Sequence, residues 1–342
     1  MRKKSNKKTH EKIHEESLSN TDLNQSVSLG LNNQLVDSHP VLRVLSLEEI
    51  LTIEVPERTF LLDPWLPSQG LVMIYAERGV GKTWFALGVA FAVASGTQFM
   101  GWNAPNPRGV LYIDGEMPLP LLKERIQILV DSNGFEQSVP IGFLTSDIQN
   151  SPIPDISTEE GKKQINALLD GVGLVVLDNL STLVRSGREN EAEAWLPVQE
   201  WILYLRAKGK SVIFIHHAGK NGKQRGSSRR EDVLDTVIFL KRPVNYNPSD
   251  GSHFEVHFEK ARSVLGDAVK PTECRLFTGG VGHLEWSHKS LEASTHEKVV
   301  DMYNEGMSQK EIAEILEINK ATVSKHIKRG KRNGEVSKIE DI

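Results

Sequence analysis

The sequence has almost no cysteine and no apolar run long enough to cross a membrane. Cys274 is the one cysteine in 342 residues, so no disulfide can form within the chain. No Cys/His grouping has zinc spacing. The most membrane-like stretch, Trp84 to Ala94, has about half of the ~20 residues that a spanning helix needs. We therefore expect a buried helix there, no membrane partner, and a reducing, cytoplasmic location.

A strong excess of charge of either sign is also absent. The chain carries 41 Lys and Arg against 45 Asp and Glu, a net charge of -4. Hydrophobic residues make up 39% and charged residues 25%, which is typical of a globular protein, and the length suggests about two domains. Because no global basic field exists, any nucleic-acid partner must bind to a local basic patch.

The first 40 residues have few aliphatic side chains. The first twelve carry six Lys or Arg and one Glu, and no apolar run of a secretory signal follows them. We predict a disordered basic and polar arm over residues 1–40. A solvated tail is the preferred interpretation, and contact with DNA or a partner is the alternative.

Residues 41–290 alternate short aliphatic runs with stretches of helical periodicity. The runs are Leu71–Tyr75, Val110–Ile113, Ile141–Leu144, Leu174–Leu177, Val212–Ile215, Val233–Leu240 and Phe254–Phe258, and the helical stretches include Leu119–Val130, Thr158–Leu169 and Ala192–Ala207. This alternation predicts an α/β domain with a mostly parallel sheet covered by helices. The later runs have no long helices between them and predict hairpins, with a turn at Asn247–Gly251.

A glycine-containing loop follows the first of these runs. The letters AERGVGKT, residues 76–83, lie between an apolar strand and an apolar helix, which is the Walker A arrangement with Ala76 in place of the usual first glycine. In such a loop the backbone N–H groups and the lysine bind phosphates, and the hydroxyl holds Mg²⁺. The sequence predicts an ATP or GTP site over Gly79, Val80, Gly81, Lys82, Thr83 and Trp84.

Acidic and imidazole side chains end three of the other predicted strands. Asp178 is the candidate for the second carboxylate at the metal, with Thr83. Glu116 is the candidate general base, and a solvated loop carboxylate is the alternative. His216 and His217 fall at the edge where ligands bind in open α/β sheets, and one of them could contact the γ-phosphate. Zinc binding by this pair is disfavoured, because no third ligand lies nearby at the usual spacing.

Five motifs together resemble those of RecA-like ATPases. AERGVGKT, LYIDGEMP followed by Arg125, LVVLDNL, IFIHHAGK and RGSS occur in the order and approximate spacing of that superfamily, and they most closely resemble the RepA-type hexameric replicative helicases of plasmids and mobile elements. The resemblance covers about residues 60–290. It implies a RecA-like core that forms a homo-oligomeric ring, with ATP between neighbouring subunits and a DNA strand through the ring.

The resemblance also implies roles for individual side chains. Lys82 and Thr83 bind phosphate and Mg²⁺, Glu116 activates water, Asp178 orients the metal, and His217 senses the γ-phosphate. Arg125 corresponds to a family arginine near the nucleotide, where a guanidinium could stack on adenine. An exposed helix charge is the alternative for Arg125.

A cation from the neighbouring subunit is the remaining part that the resemblance implies. Where the RepA-type pattern has an arginine after RGSS, this sequence has Asp235. Lys260 and Arg262 resemble the basic pair that RecA-like proteins place at a strand end facing the neighbour, and they are the first choice. The second choice is the set Arg225, Arg229 and Arg230, in a segment that could also face DNA. A solvated charge cluster is the alternative for each.

The last part of the chain, residues 291–342, predicts a small all-α domain. Ser308 and Glu311 have capping-box spacing, and Asn319 can cap a third helix, so the segment resembles a helix-turn-helix. Residues 319–334 contain six Lys or Arg and no acidic residue. In a helix-turn-helix the second helix of the motif enters the major groove. The candidate DNA-binding residues are Lys320, Thr322, Ser324, Lys325, Lys328 and Arg329, and a packing or oligomerisation module is the alternative.

These features predict an ATP-hydrolysing, Mg²⁺-dependent, DNA-associated motor, a RepA-type helicase or replication protein with a helix-turn-helix for duplex DNA. Two alternatives stay open. One is a recombinase-like or transposition-linked ATPase that coats DNA. The other is a sequence-specific regulator whose ATP site is a slow switch of oligomerisation.

Overall fold

The computed structural model describes residues 43–336, except for 56, 58, 137, 186–191, 220–230, 245, 263, 265, 280–282 and the side chains of 192–194. The predicted arm over 1–40 lies outside the described residues. The chain divides into two compact units, Met1–Pro56 and Glu57–Ile342. In the first unit a short helix, α1 (Leu47–Thr52), begins at a capping box of Ser46 and Glu49.

A nine-stranded mixed sheet forms the centre of the second unit. Its strands in spatial order are β13 (Leu284–Ser290), β12 (Thr272–Thr278), β11 (His253–Ala261), β10 (Thr236–Lys241), β3 (Leu71–Ala76), β9 (Ser211–His217), β8 (Val172–Asp178), β6 (Gly109–Asp114) and β7 (Ile141–Thr145). The six from β10 to β7 are parallel, and β11 to β13 are antiparallel additions at one edge. Two short pairs complete the strands, β1 (Phe60–Leu62) with β2 (Leu66–Pro67) and β4 (Gln98–Phe99) with β5 (Trp102–Asn103).

Helices cover both faces of the sheet, because its parallel strands are apolar on both sides. The helices of this part are α2 (Lys82–Ser95), α3 (Leu119–Asn133), α4 (Glu159–Asn166), α5 (Leu180–Leu183) and α6 (Ala192–Ala207). One buried cluster packs α2 and α3 against one face, and a second packs α4, α5 and α6 against the other. Eleven residues of α2 are buried, as expected for a helix that is apolar on all sides.

The predicted fold class is confirmed: a mostly parallel sheet covered by helices, followed by a helical C-terminal segment. Each predicted run is a strand of the sheet, although the Val233 run begins only at Thr236. The predicted turn after β10 contains a single 3₁₀ turn at Pro248–Asp250. The sequence analysis missed β12 and β13, the last two strands on one side of the sheet. Their letters TECRLFT and LEWSHKS mix polar and apolar residues because both strands are partly exposed.

The C-terminal segment consists of α7 (Leu291–Asn304), α8 (Gln309–Ile315) and α9 (Lys320–Asn333). Its small core is formed by Val299, Ile312, Val323 and Ile327. The boundary predicted after residue 290 coincides with the end of β13 and the start of α7 but lies inside the second compact unit, so the division at that point stays a prediction.

A buried carboxylate joins α7 to the sheet edge. Glu273 on β12 is 7% exposed. It accepts hydrogen bonds from Lys298 Nζ, at 3.0 and 3.1 Å, and from the hydroxyl of Ser294, and its Oε1 lies 2.7 Å from His253 Nε2. These charged partners hold the pKa of Glu273 below its ordinary value in spite of its burial. The helical segment is therefore fastened to the antiparallel strands of the sheet by a polar network as well as by packing.

Across the described residues, we find no helix that combines the length and the apolar character needed to span a bilayer.

Candidate functional site

The phosphate loop connects β3 to α2. Gly79 and Gly81 have φ values of 74° and 116°, in the left-handed region that favours glycine. A side chain at Gly81 would also come within 3.0 Å of Ser252 Oγ and 3.1 Å of a Phe254 ring atom. Gly81 is the N-cap of α2 and provides no side-chain cap, so the first N–H groups of the helix are available to an anion.

Lys82 points back along the loop. Its Nζ donates hydrogen bonds to the carbonyl oxygens of Ala76, at 3.0 Å, and Glu77, at 2.7 Å. Burial lowers the pKa of Lys82 to about 8, although the nearby carboxylates of Asp178 and Glu116 oppose this. An anionic phosphate beside the ammonium would favour its charged form.

Asp178, at the end of β8, lies across the cavity from the loop. Its Oδ2 accepts a hydrogen bond of 2.7 Å from the hydroxyl of Tyr112, and the Thr83 side chain also donates to it. Burial raises the pKa of Asp178 to about 6 from the ordinary 3.8. A hydroxyl and a carboxylate beside a phosphate loop are the oxygen ligands that Mg²⁺ prefers, so the side chains of Thr83 and Asp178 fit the predicted metal. Among the described residues, we find no group of three or more His, Cys, Asp or Glu side chains that could hold a metal ion.

Asn179 joins two residues that the sequence analysis placed in separate roles. Its Nδ2 donates to a carboxylate oxygen of Glu116 and lies 3.3 Å from Nε2 of His217. Glu116 Oε2 is itself 3.8 Å from His217 Nε2. The amide oxygen of Asn179 accepts from Ser181 N and caps α5, which fixes the orientation of the amide. Asn179 was missed, although an asparagine directly after Asp178 and before a short helix was a visible capping signal.

Asp114 shapes the turn that carries Glu116. Its Oδ1 accepts backbone N–H groups of Glu116, at 2.9 Å, and Met117, at 2.7 Å. Burial raises the pKa of Asp114. The Glu116 side chain is 58% exposed, so its carboxylate is accessible to water while its backbone is held.

A single cavity of about 390 Å³ brings these groups together. It is lined by Gly79, Gly81, Lys82, Thr83, Trp84, Glu116, Arg125, Asp178 and His217 from the predicted site, and by Arg78, Asp114, Met117, Pro118, Leu121, Asn179 and Ser252, which were not predicted. Its size lies within the range of small-molecule sites. Val80, within the loop, is buried and does not line the cavity.

Arg125, on α3, and Trp84, on α2, form one wall of the cavity. The guanidinium carbon of Arg125 lies 5.3 Å from the centroid of the Trp84 ring, within cation–π distance. The predicted stacking of Arg125 on adenine stays a prediction. The structure places this guanidinium at the cavity, on an aromatic neighbour that orients it.

Lys260 and Arg262 lie far from the cavity of their own chain. Lys260 is the last residue but one of β11, and Arg262 follows this strand directly. This end of β11 pairs antiparallel with the start of β10, so both residues lie at the opposite edge of the sheet from the phosphate loop. Lys260 donates to the carbonyl of Glu231, and Arg262 donates to the carbonyl of Asp232. Within one chain they cannot reach the nucleotide, so a catalytic role for them requires a neighbouring subunit. The second-choice cations, Arg225, Arg229 and Arg230, lie outside the described residues.

Asp235, which occupies the place of the family arginine, has a structural role. Its carboxylate forms an ion pair with Arg206 and accepts a hydrogen bond of 2.9 Å from Leu71 N. It thereby ties α6 and the start of β3 to β10.

The predicted helix-turn-helix is present as α8 and α9. Ser308 and Glu311 form the capping box, and Asn319 caps α9 by accepting from Thr322 N at 2.8 Å. The candidate DNA-binding residues differ in exposure: Lys320, Lys325, Lys328 and Arg329 are exposed, and Thr322 and Ser324 are half-buried. The Thr322 hydroxyl bonds to Asn319, 3.0 Å away, and so contributes to the cap.

An acidic side chain faces this basic surface. Glu292, on α7, has Oε1 3.7 Å from Lys325 Nζ and 3.8 Å from Arg329 Nη1. All three side chains are about half-exposed or more, so these ion pairs are weak and open to exchange.

Comparison with known proteins separates the two parts of the chain. No curated protein matches the sequence. The crystal structure of a KaiC-like protein from the hyperthermophilic archaeon Pyrococcus horikoshii OT3 matches with 16% identity and a TM-score of 0.46, over 66% of this chain and 93% of that one. Residues 297–333 match the family model of Sigma-70, region 4, which here covers most of α7 to α9.

The family model described as AAA domain matches residues 38–223, more than half of the chain. This span contains the phosphate loop, Glu116, Asp178 and His217, the residues that meet in the cavity. The chain belongs to the AAA domain family.

Proposed function

We propose that the protein is an ATP-hydrolysing, DNA-associated motor of the RepA type, working as a homo-oligomeric ring, most simply a hexamer. The observation that carries the proposal is the single cavity in which the phosphate loop, a metal-binding pair and an exposed carboxylate meet. The match of the C-terminal segment to Sigma-70, region 4, supports duplex DNA as a partner. We propose that residues 41–290 hydrolyse ATP and that residues 291–342 bind DNA.

An observed position supports each catalytic role that we propose. Lys82 and the N–H groups at the start of α2 bind the phosphates. Thr83 and Asp178 would hold Mg²⁺, which neutralises phosphate charge. Glu116 accepts the proton of the attacking water, because its carboxylate faces the cavity and Asn179 fixes its orientation.

Asn179 and His217 provide a means of reporting on hydrolysis. His217 ends β9 in contact with Asn179, which also holds Glu116. A γ-phosphate that hydrogen-bonds to His217 would favour one arrangement of this trio, and its loss would favour another.

Oligomerisation is part of the proposal because the predicted cations Lys260 and Arg262 do not reach the cavity of their own chain. Lys260 and Arg262 lie at the opposite sheet edge, where a head-to-tail ring can bring them to the next subunit's cavity.

A strand-displacement assay on a forked duplex tests the motor. We expect ATP-dependent unwinding by the full chain and none by Lys82→Ala, with Lys123→Ala, an exposed lysine on α3, as the matched control. Absence of unwinding by an ATPase-active protein would reject the helicase.

The second candidate is an ATP-switched, sequence-specific regulator. The Sigma-70, region 4, match favours it, since that observation concerns recognition of duplex DNA and not unwinding. Footprinting of a defined duplex site by a protein that does not unwind would support this candidate, and a third outcome, uniform coating of DNA, would support the recombinase-like alternative.

A further inference from the structure

Arg242 is a cation beside the phosphate loop that the roles above leave unused. It follows directly after β10, and Leu240 of that strand pairs with Ala76 of β3, where the phosphate loop begins. The chain then turns and returns as β11. Strand pairing thus places Arg242 beside Arg78, 164 positions earlier in the sequence.

The contacts of Arg242 leave its charge without an anion. Its Nη2 donates a long hydrogen bond of 3.5 Å to the carbonyl oxygen of Arg78, and its guanidinium carbon lies 4.5 Å from the centroid of the Tyr246 ring. The buried Nε has no hydrogen-bond partner, and no carboxylate of the described residues lies within ion-pair distance of the guanidinium. A partly buried cation with unused donors is costly to leave unpaired. Arg242 does not line the cavity, so a polyphosphate bound at the loop would offset its charge through the electrostatic field and not through a direct ion pair.

The contact with Arg78 fixes the direction of a peptide group in the loop. In a planar trans peptide the C=O and N–H bonds point in opposite directions. Because Arg242 donates to the carbonyl oxygen of Arg78, the N–H of Gly79 points away from Arg242. Gly79 suits this place because its φ of 74° lies in the left-handed region that favours glycine.

We propose that Arg242 is a positioning residue of the nucleotide site. It turns the 78–79 peptide so that the Gly79 N–H faces the phosphates, and its positive charge strengthens the binding of the polyphosphate chain. This inference rests on the proposed binding of ATP at the phosphate loop. Since ATP and ADP carry more negative charge than AMP, the contribution of Arg242 grows with the number of phosphates.

Nucleotide titrations of the full-length chain test this role. Fluorescence anisotropy with mant-ATP, mant-ADP and mant-AMP, each with Mg²⁺, gives the three dissociation constants for wild type, Arg242→Gln and Arg242→Lys. Two controls separate positioning from support of the nearby turn. Tyr246→Leu removes the ring against which Arg242 packs, and Arg275→Gln removes another arginine of this region, which pairs with Asp250 at 2.6 Å.

We expect Arg242→Gln to weaken mant-ATP and mant-ADP binding roughly tenfold or more, the usual effect of losing a hydrogen bond to a charged group. Binding of mant-AMP should change less than about twofold. Arg242→Lys keeps the charge but not the planar fork and should fall between wild type and Arg242→Gln. The two controls should stay close to wild type for all three nucleotides.

Three results would overturn the role of Arg242: wild-type affinity in Arg242→Gln, an equal loss for all three nucleotides, or the same loss in Tyr246→Leu. If circular dichroism shows that Arg242→Gln does not fold, Arg242→Lys decides by the same comparison of nucleotides. A different result concerns the proposed function itself. If the wild type does not bind mant-ATP, or Lys82→Ala binds it equally well, nucleotide binding at the loop is wrong whatever Arg242 does.

Discussion

At the scale of single residues, burial in the cavity disfavours the charged forms of Lys82 and Asp178. Lys82 bonds to carbonyls of its own loop, and Asp178 is a buried carboxylate with two hydroxyl donors. Burial shifts the pKa of Lys82 down, to about 8, and that of Asp178 up, to about 6. Both shifts disfavour the charged forms that Mg²⁺ and ATP require, so ligand binding must reverse them.

Because the pKa of Asp178 is raised, we predict that the stability of the protein depends on pH. Below about pH 4 the carboxyl is protonated in both the folded and the unfolded state. Between about pH 4 and pH 6 only the unfolded state loses the proton, so the wild type loses stability across this window as the pH rises. Asp178→Asn has no charge to bury, and without nucleotide its free energy of unfolding should exceed that of the wild type by about 1–3 kcal/mol at pH 7.5 and by much less near pH 4.5.

Urea unfolding at several pH values measures this difference. Asp301→Asn, at an exposed position on α7, is the control and should show no such trend. A gain for Asp178→Asn that is the same at every pH would contradict the assignment of the effect to ionisation.

At the scale of elements, α2 carries the end of the phosphate loop and is packed on all sides. Gly88, in its middle, lies against the ring of Phe99, and a Cβ there would come within 2.6 Å of the Phe99 Cζ. Alanine normally stabilises a helix relative to glycine by up to about 1 kcal/mol. Here the clash should outweigh that gain, because the surroundings are closely packed.

We expect Gly88→Ala to lower the free energy of unfolding by about 1–2 kcal/mol, measured by urea denaturation. Gly142→Ala is the matched control, since the nearest atom to its Cβ is 4.0 Å away. The effect of Gly88→Ala should shrink in a Phe99→Leu background. Unchanged or increased stability of Gly88→Ala would show that α2 is less tightly confined than these contacts indicate.

A second prediction at this scale concerns Glu292, the acidic residue that faces the helix-turn-helix. If Lys325 and Arg329 bind DNA phosphates, as proposed, Glu292 competes with the DNA for both side chains. Glu292→Gln should strengthen binding to duplex DNA by about two- to fivefold at low salt, because exposed ion pairs are worth less than about 1 kcal/mol. Fluorescence anisotropy over a series of salt concentrations measures the effect.

Glu297→Gln is the control for this experiment, because Glu297 lies on the same helix but pairs with Lys289. Equal effects of the two variants would mean that only net charge matters. Weaker binding by Glu292→Gln would place DNA away from α9.

At the scale of the whole molecule, the prediction concerns cooperation between chains. If Lys260 and Arg262 act on a neighbour's ATP, then Lys82→Ala and Arg262→Ala should each abolish ATPase activity and partly restore it when mixed. In a randomly mixed ring about a quarter of the sites combine an intact loop with an intact neighbour. We therefore expect about a quarter of the wild-type ATPase rate from an equal mixture.

A mixture of Lys82→Ala with Lys82→Gln is the control, since no arrangement of these subunits completes a site. Failure of the first mixture, in protein shown to form mixed oligomers, would assign Arg262 to its contact with the Asp232 carbonyl alone.

Local signals in the sequence determined most of the fold and part of the site. The apolar runs became strands because an α/β sheet buries both faces, and the helices of the C-terminal segment begin at the caps Ser308 and Asn319 that their letters indicate. The phosphate loop could be identified because its glycines, Lys82 and Thr83 are consecutive. Asp178 and Glu116 could be proposed because Asp178 ends an apolar strand and Glu116 follows another by two residues.

Only the tertiary structure decided which of these groups meet. Asn179 lies between Glu116 and His217, Arg242 stands beside Arg78, and Lys260 lies at the opposite edge of the sheet. Each of these relations depends on which strands are neighbours and in which direction they run. Strand order is set by packing between segments that are distant in sequence, and no local pattern of residues encodes it.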